Sequence, residues 1–238
     1  MQKKDYGIIL SKVDYSESSI IIRIYTSQNG TLPFIYRGAK NKKRDQFKIY
    51  PLSIVEFEYG GQPRSEIKYL NSISTYVNIS NCFFDPIKSS ILFFLNEVLQ
   101  KTLQDADSDS ELLSFLIGRL KLLDLEERPA SFHLKFLADY TKFLGCFPEV
   151  SVKKVNYFDL QEGALVTLQP KHLNYITGHE LEAFHSIVNA SAEHLDAINL
   201  CGVKRSRMLH IFLEYYSLQI ESFGKCKTLE ILETIFRD

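Results

Sequence analysis

Six of the twelve residues from Arg37 to Lys48 carry a positive charge: Arg37, Lys40, Lys42, Lys43, Arg44 and Lys48. The chain as a whole has a formal net charge of only −1, so this is a local concentration. Ammonium and guanidinium groups placed this densely can displace condensed counterions from a phosphate backbone, which supplies most sequence-independent affinity for nucleic acid. A solvated loop that only keeps the protein soluble would have the same composition.

Other chemistry finds little support. Gly38-Ala39-Lys40-Asn41-Lys42 lacks the second glycine of a GxxxxGK[ST] phosphate loop, and neither a GxSxG elbow nor an HExxH helix occurs. The six histidines, His133, His172, His179, His185, His194 and His210, never recur at the i, i+4 spacing that suits a metal site on a helix. Acidic pairs such as Glu126-Glu127, or Glu56 with Glu58, read as a solvated loop and a polar strand face, because an acid/base dyad needs burial to drive its two pKa values apart. A non-enzymatic protein without a cofactor is the expectation.

Charge is unevenly divided. Residues 1–80 hold 12 Lys and Arg against 7 Asp and Glu, whereas the remaining 158 residues hold 16 against 22. Such asymmetry fits one part that meets nucleic acid and another that meets proteins or solvent. The four cysteines, Cys82, Cys146, Cys201 and Cys226, are scattered and read as buried free thiols. The N-terminus lacks the apolar stretch of a signal peptide, and no run reaches the roughly eighteen apolar residues of a membrane helix. A cytoplasmic protein with no membrane contact is expected.

The elements that would position the basic run change character once. Up to residue 80 the pattern favours strands at Gly7 to Val13, Ser19 to Thr26, Thr31 to Arg37, Ser53 to Tyr59 and Glu66 to Val77, with turns at Gln28-Asn29-Gly30 and Gly60-Gly61-Gln62-Pro63. About five strands without a long helix fit a small closed barrel of the OB type, or a small sandwich. Beyond residue 80 the signals are helical. Asp85-Pro86 reads as an N-cap and first helical residue, Ser108 with Glu111 has capping-box spacing, and Ser131 opens a helix that Gly145 can close. Further helices are expected at Glu180 to Val188, Glu193 to Leu200, Lys204 to Ile220 and Thr228 to Phe236, while Ser151 to Gln169 reads as irregular with one hairpin at Glu162-Gly163. The expected architecture is α+β and multidomain: a nucleic-acid-binding barrel over 1–80, then a helical domain over 81–238 with an irregular insert around 150–170.

Several segments, taken in order, resemble the RecO recombination-mediator family of bacteria. Gly7-Ile8-Ile9-Leu10, Tyr15-Ser16-Glu17-Ser18-Ser19-Ile20-Ile21-Ile22, Tyr25-Thr26, Gly30, Arg37-Gly38-Ala39-Lys40 and Pro51-Leu52-Ser53 are similar to that family's N-terminal OB fold. Phe132-His133-Leu134-Lys135-Phe136-Leu137 through Leu144-Gly145-Cys146-Phe147-Pro148 resembles the helix and Leu-Gly-x-x-Pro turn of its all-α domain, with a Bacteroidetes flavour. Arg207, Leu209, Tyr215-Tyr216 and Lys227-Thr228-Leu229 are similar to its last two helices. In one respect the chain departs from the pattern. Many RecO proteins carry a four-cysteine zinc site after the Leu-Gly-x-x-Pro turn, and Ser151 to Val166 contains no cysteine. Such a site needs four suitable ligands, so this lobe is read as a degenerate zinc segment without metal, closed by Tyr157, Phe158, Leu160, Leu165 and Val166.

The resemblance implies a DNA repair and recombination mediator. It would bind single- and double-stranded DNA, anneal complementary strands and, with RecR, help load RecA onto DNA coated by single-stranded-DNA-binding protein (SSB). On that reading Arg37, Lys40, Lys42, Lys43, Arg44 and Lys48, joined by Arg23 and Lys68, hold phosphates, and Tyr36, Phe47 and Tyr50 are candidates to stack on bases. Arg119, Lys121, Arg205 and Arg207 are candidates to receive the acidic C-terminal tail of SSB. The alternative is an OB-fold scaffold for RNA or protein without annealing activity.

Overall fold

The computed structural model describes residues 2–41, 48–60, 68–150, 155–191 and 200–235. The chain divides into two compact units, Met1–Leu125 and Glu126–Asp238.

In the first unit, five strands close into a barrel: β1 (Lys3–Asp14), β2 (Ile20–Thr26), β3 (Gly30–Tyr36), β4 (Ile54–Gly60) and β5 (Lys68–Val77). Their order around the barrel is β1-β2-β3-β5-β4, with β3 and β5 parallel and the other neighbours antiparallel. This closure makes an OB barrel and rules out a sandwich. Alternation fills the interior: Ile20, Ile22 and Ile24 point inward from β2 and meet Phe34 and Tyr36 from β3. Phe34 lies edge-on to Phe57 at 5.0 Å and to Tyr59 at 5.3 Å, an arrangement the ring quadrupoles favour. At Gly30, φ is +67° and an added Cβ would come within 2.0 Å of the Ala106 carbonyl oxygen, so the β2–β3 turn admits only glycine.

Three helices complete this unit: α1 (Asn81–Phe84), α2 (Pro86–Thr102) and α3 (Ser110–Leu125). Asp85 caps α2 as expected, its Oδ1 accepting from the backbone N–H of Ile87 at 2.8 Å and of Lys88 at 3.0 Å. For α3 the cap is Asp109, not Ser108. Its Oδ1 accepts from Glu111 N at 2.8 Å and Leu112 N at 3.0 Å, and a carboxylate there also meets the positive end of the helix. The change of periodicity near residue 80 and the break in packing at residue 125 are separate boundaries. Thr31 donates its hydroxyl to Leu103 O at 2.6 Å, Thr31 N–H donates to Ala106 O at 2.9 Å, and the Tyr25 hydroxyl accepts from Asp109 N at 3.1 Å. These bonds tie the α2–α3 connection to the barrel. Asp124 ties α3 to the other two helices, accepting from Cys82 N at 2.9 Å on its carboxylate and from buried Lys88 Nζ at 2.7 Å on its carbonyl.

The second unit contains α4 (Phe132–Tyr140), β6 (Tyr157–Asp159), β7 (Ala164–Val166), β8 (Tyr175–Thr177), α5 (Gly178–Asn189), α6 (Gly202–Gln219) and α7 (Leu229–Ile235). Every residue of α4 is buried, including Lys135, whose Nζ lies 2.8 Å from Asp139 Oδ1 and 3.1 Å from Val188 O. The hairpin at Glu162-Gly163 joins β6 to β7, and β8 adds to the other edge of β6, a strand the irregular reading of this insert did not anticipate. Phe158, Phe184, Phe212 and Tyr215 form one aromatic cluster, with Phe184 and Phe212 stacked at 4.8 Å. The helix expected over Glu193 to Leu200 falls almost wholly outside the described residues. Cys82 is buried, Cys146 and Cys226 are half-buried, and Cys201 is exposed, which corrects the expectation that all four thiols are buried. Among the described residues no helix is long and apolar enough to cross a membrane.

Candidate nucleic-acid interface

The basic segment leaves the barrel at the end of β3. Gly38, at φ +68°, turns the chain into a short 3-10 turn, Ala39–Asn41, that Asn41 N closes on Gly38 O at 3.1 Å. Ala39 inserts into the barrel core, and so does Ile49 on the far side of the segment. The connection is therefore pinned by apolar burial at Ala39 and Ile49, with Lys40 to Lys48 between the pins in sequence and Arg37 two residues before the first. Beyond Ile49, Leu52 N donates to Ile9 O at 2.7 Å and Ile9 N to Ser53 O at 3.0 Å, so the returning chain continues along β1.

Of the predicted phosphate ligands, Arg37 is exposed and its guanidinium lies 4.3 Å from the centroid of the Tyr69 ring. Lys40 reaches Asp14 at 3.1 Å, an ion pair open enough to solvent to be worth less than about 1 kcal/mol and readily exchanged for a phosphate. Its backbone N–H donates to Ser18 O at 3.2 Å, which brings the β1–β2 loop beside the 3-10 turn. Lys48 is half-buried and donates to Ile73 O at 3.3 Å. Lys42, Lys43, Arg44 and Phe47 lie outside the described residues.

The remaining two sit on strands. Lys68 opens β5 opposite Phe34, next to Tyr69. Arg23 points outward from the middle of β2, where its Nη1 donates to Gln104 O at 3.4 Å in a small recess shared with Ser11, Thr31 and Gln100. Arg23 is thus engaged with the α2–α3 connection.

The aromatic candidates divide. Tyr36 is 1% exposed and belongs to the barrel core, opposite Ile20 and two places on from Phe34. It has no face to offer a base. Tyr50 is 40% exposed, with Lys12 Nζ 5.3 Å from its ring centroid and Phe83 at 5.6 Å. Tyr69, 38% exposed, was missed by sequence reasoning.

Among the described residues of the second unit no cluster of metal-ligating side chains gathers. Asp159 Oδ1 accepts from Gln161 N at 2.8 Å and Glu162 N at 3.2 Å, while Oδ2 lies 3.1 Å from His172 Nε2, and Phe158 and Leu160 are buried beside it. One carboxylate and one imidazole do not make a tetrahedral zinc site, and among the described residues no three His, Cys, Asp or Glu side chains converge. The family's zinc therefore does not fit this lobe. Elsewhere in the unit a cavity of about 640 Å³ is lined by Arg205, Arg207, Val203, Leu209 and Leu232 among others. Arg207 holds Glu180 through Nε at 2.7 Å and Nη2 at 3.3 Å. Arg119 and Lys121 lie on α3 in the other unit, so only two of the four candidate tail ligands meet in one cavity.

A closed OB barrel carrying a basic connection, followed by helices, is an architecture suited to a polyanion. Comparison with known families is specific: residues 1–77 match the family described as Recombination protein O N terminal, and residues 84–228 match Recombination protein O C terminal. The chain belongs to the RecO family. It is similar to the DNA repair protein RecO of Flavobacterium psychrophilum, 28% identical with 99% of this chain and 100% of that protein covered. The same protein of Azobacteroides pseudotrichonymphae is 29% identical at the same coverage, and that of Bacteroides fragilis is 27% identical, again over 99% and 100%.

Proposed function

We propose that the protein is a cytoplasmic, non-enzymatic recombination mediator. It binds single- and double-stranded DNA through the connection between Arg37 and Lys48, anneals complementary strands, and acts with RecR to help load RecA onto SSB-coated DNA. The observation that carries this reading is the pinning of a basic segment to an OB barrel by Ala39 and Ile49, in a chain that matches the RecO family over both halves. Fixing the ends of the segment lowers the conformational entropy lost when its cations take up phosphates. Neutralised strands repel one another less, so annealing needs no nucleotide hydrolysis. For the SSB tail, the cavity that holds Arg205 and Arg207 beside Leu209 and Leu232 offers cations next to an apolar wall, which suits an acidic peptide.

Salt dependence tests the reading. With about four phosphates neutralised, log K for single-stranded DNA should fall against log salt with a slope near −3, at roughly −0.7 per phosphate. Replacing Lys42, Lys43 and Arg44 together by Ala should flatten that slope by about 2 units. An unchanged slope in the folded triple variant would place the binding surface elsewhere, and binding of RNA with no annealing of complementary DNA strands would favour the scaffold alternative.

A further inference from the structure

We propose that α7 is an intramolecular plug: it occupies part of the cavity assigned above to the acidic tail of SSB, and the tail enters by displacing it. The inference rests on the tail reading and deepens it, because it gives that cavity a regulator carried on the same chain.

Two of the residues that line the cavity, Leu232 and Glu233, come from α7, while Ser206, Leu209 and His210 come from α6. Leu232 and Glu233 set an apolar side chain beside a carboxylate, which is the chemistry an acidic peptide would bring. Glu233 Oε1 accepts from the Ser206 hydroxyl and lies 2.9 Å from His210 Nε2, and the Glu233 side chain is only 18% exposed. Ser206 and His210 are four residues apart, so both project from one side of α6. Leu232 is 1% exposed. A carboxylate entering the cavity would meet Glu233 as a like charge and compete with it for the same donors.

The hold on α7 is slight. The helix has seven residues, too few to persist in water without tertiary contacts. Of these only Leu232 is buried, and Ile231 is 57% exposed. The chain is fixed before it reaches α7, since Phe223 is buried with its ring 5.2 Å from that of Tyr216. α7 can therefore detach together with residues 224–228 while α6 keeps its place, and Leu209 and Val203 remain as the apolar side of the cavity. An element with so few buried contacts opens at low free energy, as lids do. While the plug is seated in most molecules, a competing peptide binds more weakly in proportion to the fraction that is open.

Amide hydrogen exchange over residues 229–235 of the full-length protein, with and without a peptide of the SSB tail sequence, reads the displacement directly. Exchange should quicken when the peptide binds. A helix that served only as a wall of the cavity would be covered by the peptide and exchange more slowly. Anisotropy of the labelled peptide gives a second reading. Leu232→Ala removes the buried anchor without changing charge and should tighten peptide binding about tenfold, whereas loss of a wall would weaken it. Glu233→Gln should tighten binding too. Exchange in α7 that slows or stays constant on peptide binding would overturn the proposal, as would weaker peptide binding by a folded Leu232→Ala protein, and either result would leave the tail reading standing. Failure of the wild type and both variants to bind the peptide would remove the tail reading and this inference with it.

Discussion

The basic connection of the first unit contrasts with the paired cations of the second. In the first, the densest run of cations in the sequence falls between Ala39 and Ile49, both buried in the barrel core, and among the described residues Lys40 meets Asp14 in an ion pair that is solvated and weak. In the second, cations meet carboxylates of their own unit. Lys135 is buried against Asp139, and Arg207 grips Glu180 with two nitrogens. A cation already matched by a neighbouring carboxylate gives up that partner to bind phosphate, whereas a solvated cation gives up mostly water and counterions. Under the proposed function, general DNA affinity would reside in the barrel and the second unit would serve protein partners.

The most severe way to break this comparison is to separate the units. A fragment ending at Leu125 should unfold cooperatively and bind single-stranded DNA within about threefold of the full chain, a change of under roughly 1 kcal/mol. A fragment ending at Asn81 should not. It lacks the acceptors of Thr31 at Leu103 and Ala106 and the Asp109 bond to Tyr25, each worth about 1 kcal/mol, and it uncovers the apolar surface beneath α2. Circular dichroism melts and anisotropy on both fragments check this. A stable, DNA-binding fragment at Asn81 would make α2 and α3 dispensable, and loss of binding at Leu125 would move the affinity into the second unit.

Much of this arrangement was legible in the sequence. Period-two alternation gave away β2 and β3, Asp85-Pro86 marked the start of α2, and the charge run marked the loop. Periodicity reports what kind of element forms and not which elements pack together, so its change near residue 80 falls apart from the break in packing after Leu125. The tie between barrel and helices consists of bonds from Thr31 and Tyr25 to main-chain atoms, which carry no signature in residue type. The aromatics failed in two ways. Tyr36 follows Phe34 at the inward spacing, so strict alternation would have placed it in the core. Tyr69 was hidden by an irregularity in register between Glu58 and Tyr59, after which Leu70 and Ile73 both face inward although they are three residues apart. Alternation counted back from Ile73 therefore puts Tyr69 on the wrong face.

A second, milder test uses pH and acts on the second unit. Burial, with a smaller contribution from the Arg205 charge, pushes the His133 imidazole down to about 3, so the folded protein holds it neutral. An unfolded chain protonates the same group near pH 6.5. Between those values the unfolded state binds the extra proton, so stability is complete above about 6.5 and falls as pH decreases, by at most about 1.4 kcal/mol per pH unit. Denaturant melts from pH 7.5 to 5 should show this loss in the wild type and less of it in His133→Gln. Equal pH slopes would mean that His133 is not the group responsible. Oligothymidylate affinity measured where the protein remains folded should not follow His133, since the group belongs to the other unit.

The smallest effect expected is none, and it bears on how the second unit closes without zinc. Structural zinc contributes its binding free energy directly to folding, so a lobe built on zinc loses its structure in a strong chelator. Here the space is filled by Phe158 and Leu160, both buried, with Phe158 5.0 Å from Phe184 and 6.0 Å from Tyr215. Asp159 is occupied by the hairpin's own backbone and by His172. Apolar burial and a carboxylate-capped turn can substitute for a metal clip because both fix the same short strands, and neither depends on metal supply. Thermal midpoints with and without excess chelator should coincide, and elemental analysis should find less than stoichiometric zinc. A midpoint lowered by chelation, or zinc at one equivalent, would mean that residues of the second unit outside the described set complete a site, and the proposed closure by aromatic burial would fail.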